Sequence, residues 1–208
     1  MITILDYTTG NVASVQKVLN RIGVQSRISS DPKDVLTANK LILPGVGHFG
    51  KAMAYLNESG LKEALNEKVL VQKTPVLGIC LGMQLMCASS DEGGFGSAQP
   101  PGLGWFDAHV TRMEVENTLR YKIPHTGWQG IQFEKKHPVL DGLVQGSEFY
   151  FVHAYHVADA PEKEILTRTT YEKPFVSGLQ RNHIIGVQFH PEKSHAAGEQ
   201  LIRNFIAL

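Results

Sequence analysis

The chain has 208 residues, 20 basic and 20 acidic side chains, and a formal net charge of zero. That length suits one domain with a full core, and the lack of a basic stripe or acidic tail argues against nucleic acid and membrane surfaces as partners. No apolar run approaches the ~20 residues that span a bilayer. The first residues carry neither a basic leader nor a cleavage site, so they are expected to form a strand, not a signal peptide.

Ile2–Leu5 is that strand, closing on Asp6. Asn11 is placed to cap a helix, whose apolar positions Val12, Val15, Val18, Leu19 and Ile22 recur at helical spacing until Gly23 stops them. Residues 24–28 suggest a second strand, Asp31-Pro32 a turn or helix start, and residues 40–43 a third strand. This rhythm predicts an α/β fold built on a doubly wound parallel sheet. The third strand runs into Pro44-Gly45-Val46-Gly47-His48-Phe49-Gly50. Ligands of such sheets collect beyond the carboxyl ends of strands. A loop with alternating glycines can turn its N–H groups toward a ligand there, which makes Val46 and Gly47 candidates for an oxyanion hole. No Gly-Lys-Ser/Thr follows, so it is not a P-loop. Helical segments are expected around residues 51–56 and 61–71.

The stretch Pro75-Val76-Leu77-Gly78-Ile79-Cys80-Leu81-Gly82-Met83-Gln84 has the pattern of a nucleophile elbow, with sulfur in place of the serine oxygen. Glycines two residues either side of Cys80 permit a sharp strand-to-helix turn that leaves the side chain proud at a helix start. Free backbone N–H groups there, that of Leu81 first, favour negative charge on the sulfur and on an oxyanion beside it. A helix is expected over residues 81–88. With Cys80 and Cys87 on it, their Cα atoms would lie about 10.5 Å apart, beyond the ~7 Å limit of a disulfide. Two unbridged cysteines point to a reducing, cytoplasmic setting, and Cys87 is expected in the core.

After a break over residues 89–94 and a loop at Pro100-Pro101-Gly102, the chain changes character. Residues 104–113, 128–133, 148–157, 165–171 and 175–179 suggest strands with few helices between them, so antiparallel hairpins are expected. Residues 183–190 return to a buried strand, and a last amphipathic helix carries Leu201, Ile202, Phe205 and Ile206.

A cysteine nucleophile needs a base oriented by a third group. Among nine histidines, His190 closes an apolar strand as Cys80 does, and Glu192 lies two residues on. In an extended segment the two point to one side, so Glu192 can hold the imidazole tautomer. His153 and His156, three apart on one expected strand, face opposite ways, which argues against a metal site. Gln84 lies on the nucleophile's face of the expected helix, although an exposed helical glutamine explains it as well.

Together, Gly78-Ile79-Cys80-Leu81-Gly82-Met83-Gln84 and His190-Pro191-Glu192 resemble the triad, or class I, glutamine amidotransferases. Within them, Leu43 to Gly50, Pro124-His125-Thr126-Gly127-Trp128, Tyr150-Phe151-Val152-His153-Ala154-Tyr155 and Gly186 to Ser194 are similar to the glutaminase subunits of imidazole glycerol phosphate synthase. The resemblance implies one domain over residues 1–208 with a flavodoxin-like three-layer sandwich, mostly parallel but antiparallel in the C-terminal half. It implies a Cys80, His190, Glu192 triad, an oxyanion hole from Leu81 and the Val46–Gly47 turn, and glutamine held by Gln84, Glu92, Ala154 and Tyr155. It also implies no cofactor or metal, and a (β/α)₈-barrel cyclase partner met near Asn11, Trp128, Tyr150 and Lys193. The chain departs from the family's usual residues at Thr8-Thr9, His48, Gln129 and Ala154.

Overall fold

Alternation along the first strands divides the core into two layers. In β1 (Ile2–Leu5), Ile4 packs in one apolar cluster and Leu5 in the other, because successive strand side chains point to opposite faces. β3 (Lys40–Gly45) repeats this, with Leu41 and Leu43 on one side and Ile42 on the other. The structure is a computed structural model that describes residues 1–7, 10–93 and 99–208; the unusual Thr8-Thr9 pair lies outside the described residues.

β2 (Ser26–Ser29), β1, β3, β4 (Val76–Cys80) and β12 (Ile184–Val187) lie side by side in that order, all parallel. Helices α1 (Val12–Arg21) and α6 (His195–Ala207) cover one face through Val15, Leu19, Leu201 and Phe205. The other face takes α2 (Pro32–Leu36), α3 (Phe49–Glu58) and α4 (Leu61–Asn66) through Val35, Phe49, Leu56 and Leu61. The three-layer sandwich is thus present. Beyond β12 the sheet continues antiparallel through β11 (Lys173–Arg181), β10 (Ile165–Tyr171), β7 (His125–Phe133) and β8 (Glu148–His153). A branch adds β9 (Tyr155–Asp159), β6 (Phe106–Arg112) and β5 (Cys87–Ser90).

Several local expectations change. The helix after the elbow, α5, covers only Leu81–Leu85, and Cys87 opens a strand. Its last carbonyls are captured from outside: Leu103 N–H donates to Leu85 O at 2.7 Å and Trp105 N–H to Met86 O at 2.8 Å, so the chain leaves the helix to pair as β5. Cys80 and Cys87 therefore sit on different elements; both are buried and free. The expected strand over residues 148–157 breaks at Ala154, because β8 pairs with β7 while β9 pairs with β6 and β11. Asn11 precedes α1 with a left-handed backbone (φ 69°) and makes no side-chain cap; its amide donates instead to Glu192 Oε1.

The elbow glycines are required by close approach. A Cβ on Gly82 would lie 1.8 Å from the Leu43 carbonyl oxygen, and one on Gly78 would lie 2.8 Å from Met83 N. Gly82→Ala is expected to cost about 3 kcal/mol through overpacking against backbone that cannot rotate away. At Gly23, with φ +79° and nothing within 4 Å of a new Cβ, the same change should cost only about 1 kcal/mol of left-handed strain. Urea unfolding of both variants measures the difference, and equal losses would contradict the close-approach account.

Candidate active site

Cys80 ends a strand buried at every position and starts α5 with φ 53° and ψ −108°. That backbone is rare for a non-glycine residue and persists only where the surroundings over-determine it. Here the constraint is parallel pairing on both sides: Gly45 of β3 is the register partner of Cys80, and Val187 of β12 is the partner of Ile79. The sulfur, 6 % exposed with its residue, accepts from Gln188 Nε2 at 3.5 Å and lies 3.9 Å from the Val152 carbonyl oxygen.

β12 carries the chain past Gln188 to His190, which is fully buried. The His190 backbone N–H donates to Tyr150 O at 2.9 Å. Its ring Nδ1 meets Glu192 Oε1 at 2.7 Å. The segment is not extended as expected: Pro191–Lys193 is a 3-10 turn, closed by Ser194 Oγ donating to His190 O at 2.6 Å. The turn still folds the carboxylate back under the ring. A carboxylate acceptor fixes the proton on Nδ1, and leaves Nε2, which is buried without another hydrogen-bond partner. Burial alone lowers the His190 pKa, but the adjoining Cys80 sulfur and then Glu192 more than reverse this and raise it to about 9.

A cavity of about 260 Å³ opens onto the sulfur. Val46 and Gly47, from the loop after β3, line it together with Leu81 and Gln84 of α5, Glu92, and Ala154 and Tyr155 at the β8–β9 break. Every residue expected to form the oxyanion hole or to hold substrate is therefore on one wall system with Cys80. Gly47 has φ +133°, a conformation that L side chains rarely adopt. Gln84 is not the exposed helical glutamine that its sequence context also allowed; it is 4 % exposed. Its Nε2 donates to Tyr155 O at 2.9 Å and Gln188 Oε1 at 3.0 Å. Glu92 Oε2 accepts from Phe49 N–H at 2.7 Å, so the carboxylate sits at the start of α3. His48 caps the same helix, its Nδ1 accepting from Lys51 N–H at 3.4 Å.

Two features escaped the sequence reading. Gln188 is fully buried beside the sulfur; the available signal was a polar residue inside an apolar strand, two positions before His190. The second is a buried histidine pair. His125 and His153 are register partners on β7 and β8, with His125 Nδ1 3.1 Å from His153 Nε2 and His153 Nδ1 2.8 Å from Tyr155 O. The carbonyl requires a proton on His153 Nδ1, so Nε2 accepts and His125 Nδ1 donates. His156 is not part of the pair. Among the described residues no group of three or more His, Cys, Asp or Glu could hold a metal ion.

The four residues expected at a partner surface also come together. Trp128 and Tyr150 are register partners with ring centroids 5.9 Å apart, and Lys193 Nζ lies 5.8 Å from the Tyr150 ring. Asn11 reaches the same turn through Glu192. Trp128 is 41 % exposed and stacks on His195, a residue the sequence did not single out, at 5.1 Å.

Residues 3–208 match the family described as glutamine amidotransferase class-I. The chain is similar to the imidazole glycerol phosphate synthase subunit HisH 2 of Methanococcus maripaludis, 46% identical over 99% of this chain and 98% of that protein. It is also similar to the HisH 2 subunit of Pseudomonas aeruginosa, 41% identical over 100% of both. Among solved structures, a glutamine amidotransferase superposes with a TM-score of 0.76 at 19% identity, covering 99% of this chain and 97% of the other. At that identity the likeness speaks for the fold.

Burial lowers the pKa of His125 to about 4 and that of His153 to about 3. Both lie below the ordinary 6.5, so between these limits the unfolded chain binds more protons than the folded one. The pair's contribution to stability is then complete above that value and is lost as pH falls through about 4 for His125 and about 3 for His153. At about pH 5.5, NMR should find both rings neutral, with thermal stability already declining. Protonated rings at that pH would contradict the arrangement.

Proposed function

The chain belongs to the class-I glutamine amidotransferase family, and we propose that it is the glutaminase subunit of imidazole glycerol phosphate synthase, supplying ammonia for histidine biosynthesis. The observation that carries this reading is the Cys80–His190–Glu192 constellation, with Cys80 in the wall of a cavity of about 260 Å³. His190 takes the Cys80 proton, and the thiolate attacks the side-chain amide carbon of glutamine. The Leu81 N–H and one from the Val46–Gly47 turn stabilise the oxyanion, where preorganised donors act most strongly. His190 then returns its proton to the leaving nitrogen, and ammonia departs. Water, activated by the same ring, hydrolyses the glutamyl thioester to glutamate and restores the thiol. Glu192 holds the ring on Nδ1 throughout.

Glutamine's α-amino and carboxylate groups are held by Gln84, by Glu92 and by backbone at Ala154 and Tyr155. Both amide hydrogens of Gln84 are engaged inside the protein, so its oxygen remains to accept from the substrate ammonium. Ala154 presents only backbone, so its departure from the usual serine or threonine leaves this role intact. The ammonia passes to a (β/α)₈-barrel cyclase, which docks on the surface of Asn11, Trp128, Tyr150 and Lys193. This reading treats residues 1–208 as one domain working in the cytoplasm, a setting that keeps cysteines such as Cys80 and Cys87 unbridged.

Cys80→Ala should abolish glutamine-dependent synthesis by the assembled complex yet leave synthesis from ammonium salts, because the cyclase needs only ammonia. Glutamine-dependent turnover surviving in that variant would remove Cys80 from the role of nucleophile. The isolated chain should release glutamate far more slowly than the complex with the cyclase, since Val46 sits beside a glycine whose peptide can turn over. Full activity of the chain alone, measured by glutamate release, would refute this dependence on the partner.

A further inference from the structure

We propose that Gln188 is a positioning residue for the reaction: it donates a hydrogen bond to the Cys80 sulfur, with its amide oriented by the Tyr155 carbonyl through Gln84. The inference rests on Cys80 being the nucleophile, as proposed above. It adds a residue and a direction that the triad does not contain.

The orientation follows from what each atom can do. A backbone carbonyl only accepts, and Tyr155 O receives Gln84 Nε2 at 2.9 Å and His153 Nδ1 at 2.8 Å. Turning the Gln84 amide over would set oxygen against oxygen, so its nitrogen must face Tyr155. The second hydrogen of that nitrogen then points at the Gln188 amide at 3.0 Å, where only the oxygen can receive it. This leaves Gln188 Nε2 toward the sulfur, at 3.5 Å. The polarity of the row is thus fixed at one end by main chain, and Gln188 has no exposed surface through which to turn.

An N–H donor facing sulfur favours the anion over the thiol, because hydrogen bonds to ionised acceptors are about twice as strong as neutral ones. The thiol's own contact, to Val152 O, is long at 3.9 Å, so the neutral form gains little from the site. Gln188 therefore supports the thiolate from a side different from that of His190. The titratable groups that adjoin the sulfur or share its cavity are His190, Glu92, His153 and Tyr155, and a substitution at residue 188 leaves all four in place. The Gln84 nitrogen remains on Tyr155 O when residue 188 changes, so the Gln84 oxygen stays directed to substrate.

The test is Gln188→Met, which keeps an unbranched side chain of similar length and removes the donor. On the full chain, alkylation of Cys80 by iodoacetamide, followed across pH by mass spectrometry, should shift its midpoint upward by about one unit, the equivalent of tenfold. In the complex with the cyclase, kcat should fall about tenfold while KM changes much less. A merely structural glutamine would lower stability without moving the alkylation midpoint, so a folded variant with the parental midpoint overturns the proposal. Should the variant not fold, the unaltered protein gives the answer. The Gln188 side-chain amide protons, followed by NMR, should shift with the Cys80 titration, and an unmoved signal overturns the proposal equally. Alkylation reports on the sulfur whatever the substrate is. A complex that released no glutamate from glutamine would defeat the functional reading and leave this result standing.

Discussion

The first turn of α5 lies so close to β3 that a methyl group at Gly82 would collide with the Leu43 carbonyl, and the geometry of the cavity depends on that closeness. Leu43 is two residues before Gly45, the register partner of Cys80. Drawing the helix start against this strand brings the loop after β3 and the amide of Leu81 to the same wall as the sulfur. A larger residue at position 82 would push the amide of Leu81 away from the loop after β3, and with it from any donor that the loop supplies. The positive-φ backbone of Cys80 is held by the same contacts. Parallel pairing on both flanks and a helix that cannot retreat leave it no other conformation, which is how a strained residue persists in a stable fold.

A second constraint comes from the break at Ala154. Strand β8 belongs to the outer antiparallel sheet and β9 to the branch with β6 and β11, so the chain must change partners between them. Carbonyls freed at such a junction need donors, because an unpaired buried polar group is costly. Met113 N–H takes Ala154 O at 2.8 Å, and His153 and Gln84 both take Tyr155 O. The buried histidine pair and the row of glutamines therefore meet at one main-chain oxygen. This ties the packing of β7 against β8 to the cavity wall that faces the Cys80 sulfur.

Much of this was legible in the sequence, for identifiable reasons. Strong periodicity placed the parallel strands, and Gly78, Cys80 and Gly82 marked the elbow because steric demands leave a local trace. His190 and Glu192 were found by alternation, although the segment proved to be a 3-10 turn and the contact arises from its curl. What stayed hidden was set by distant partners. The shortening of α5 depends on Leu103 and Trp105, just before β6, which capture its last carbonyls, and the break at Ala154 depends on which strands lie alongside. Asn11 read as a helix cap because nothing in residues 1–20 reveals that Glu192, far along the chain, competes for its amide. Gln188 was overlooked because a polar side chain in an apolar strand gains meaning only once the sulfur beside it is known.

The turn Pro191–Lys193 concentrates these dependencies. Glu192 points inward, where Oε1 receives both the His190 ring and the Asn11 amide. Lys193, the next residue, points outward over Tyr150 and toward the Trp128 surface. Ser194 locks both ends, donating to His190 O and accepting from Tyr150 N–H at 3.0 Å. A turn of three residues has no slack, so displacement of the exposed lysine carries the buried carboxylate with it. A carboxylate oxygen that accepts from both a ring and an amide is sensitive to such movement, because hydrogen-bond strength falls steeply with angle. The surface proposed for the cyclase and the carboxylate bonded to the His190 ring thus belong to adjacent residues of one turn.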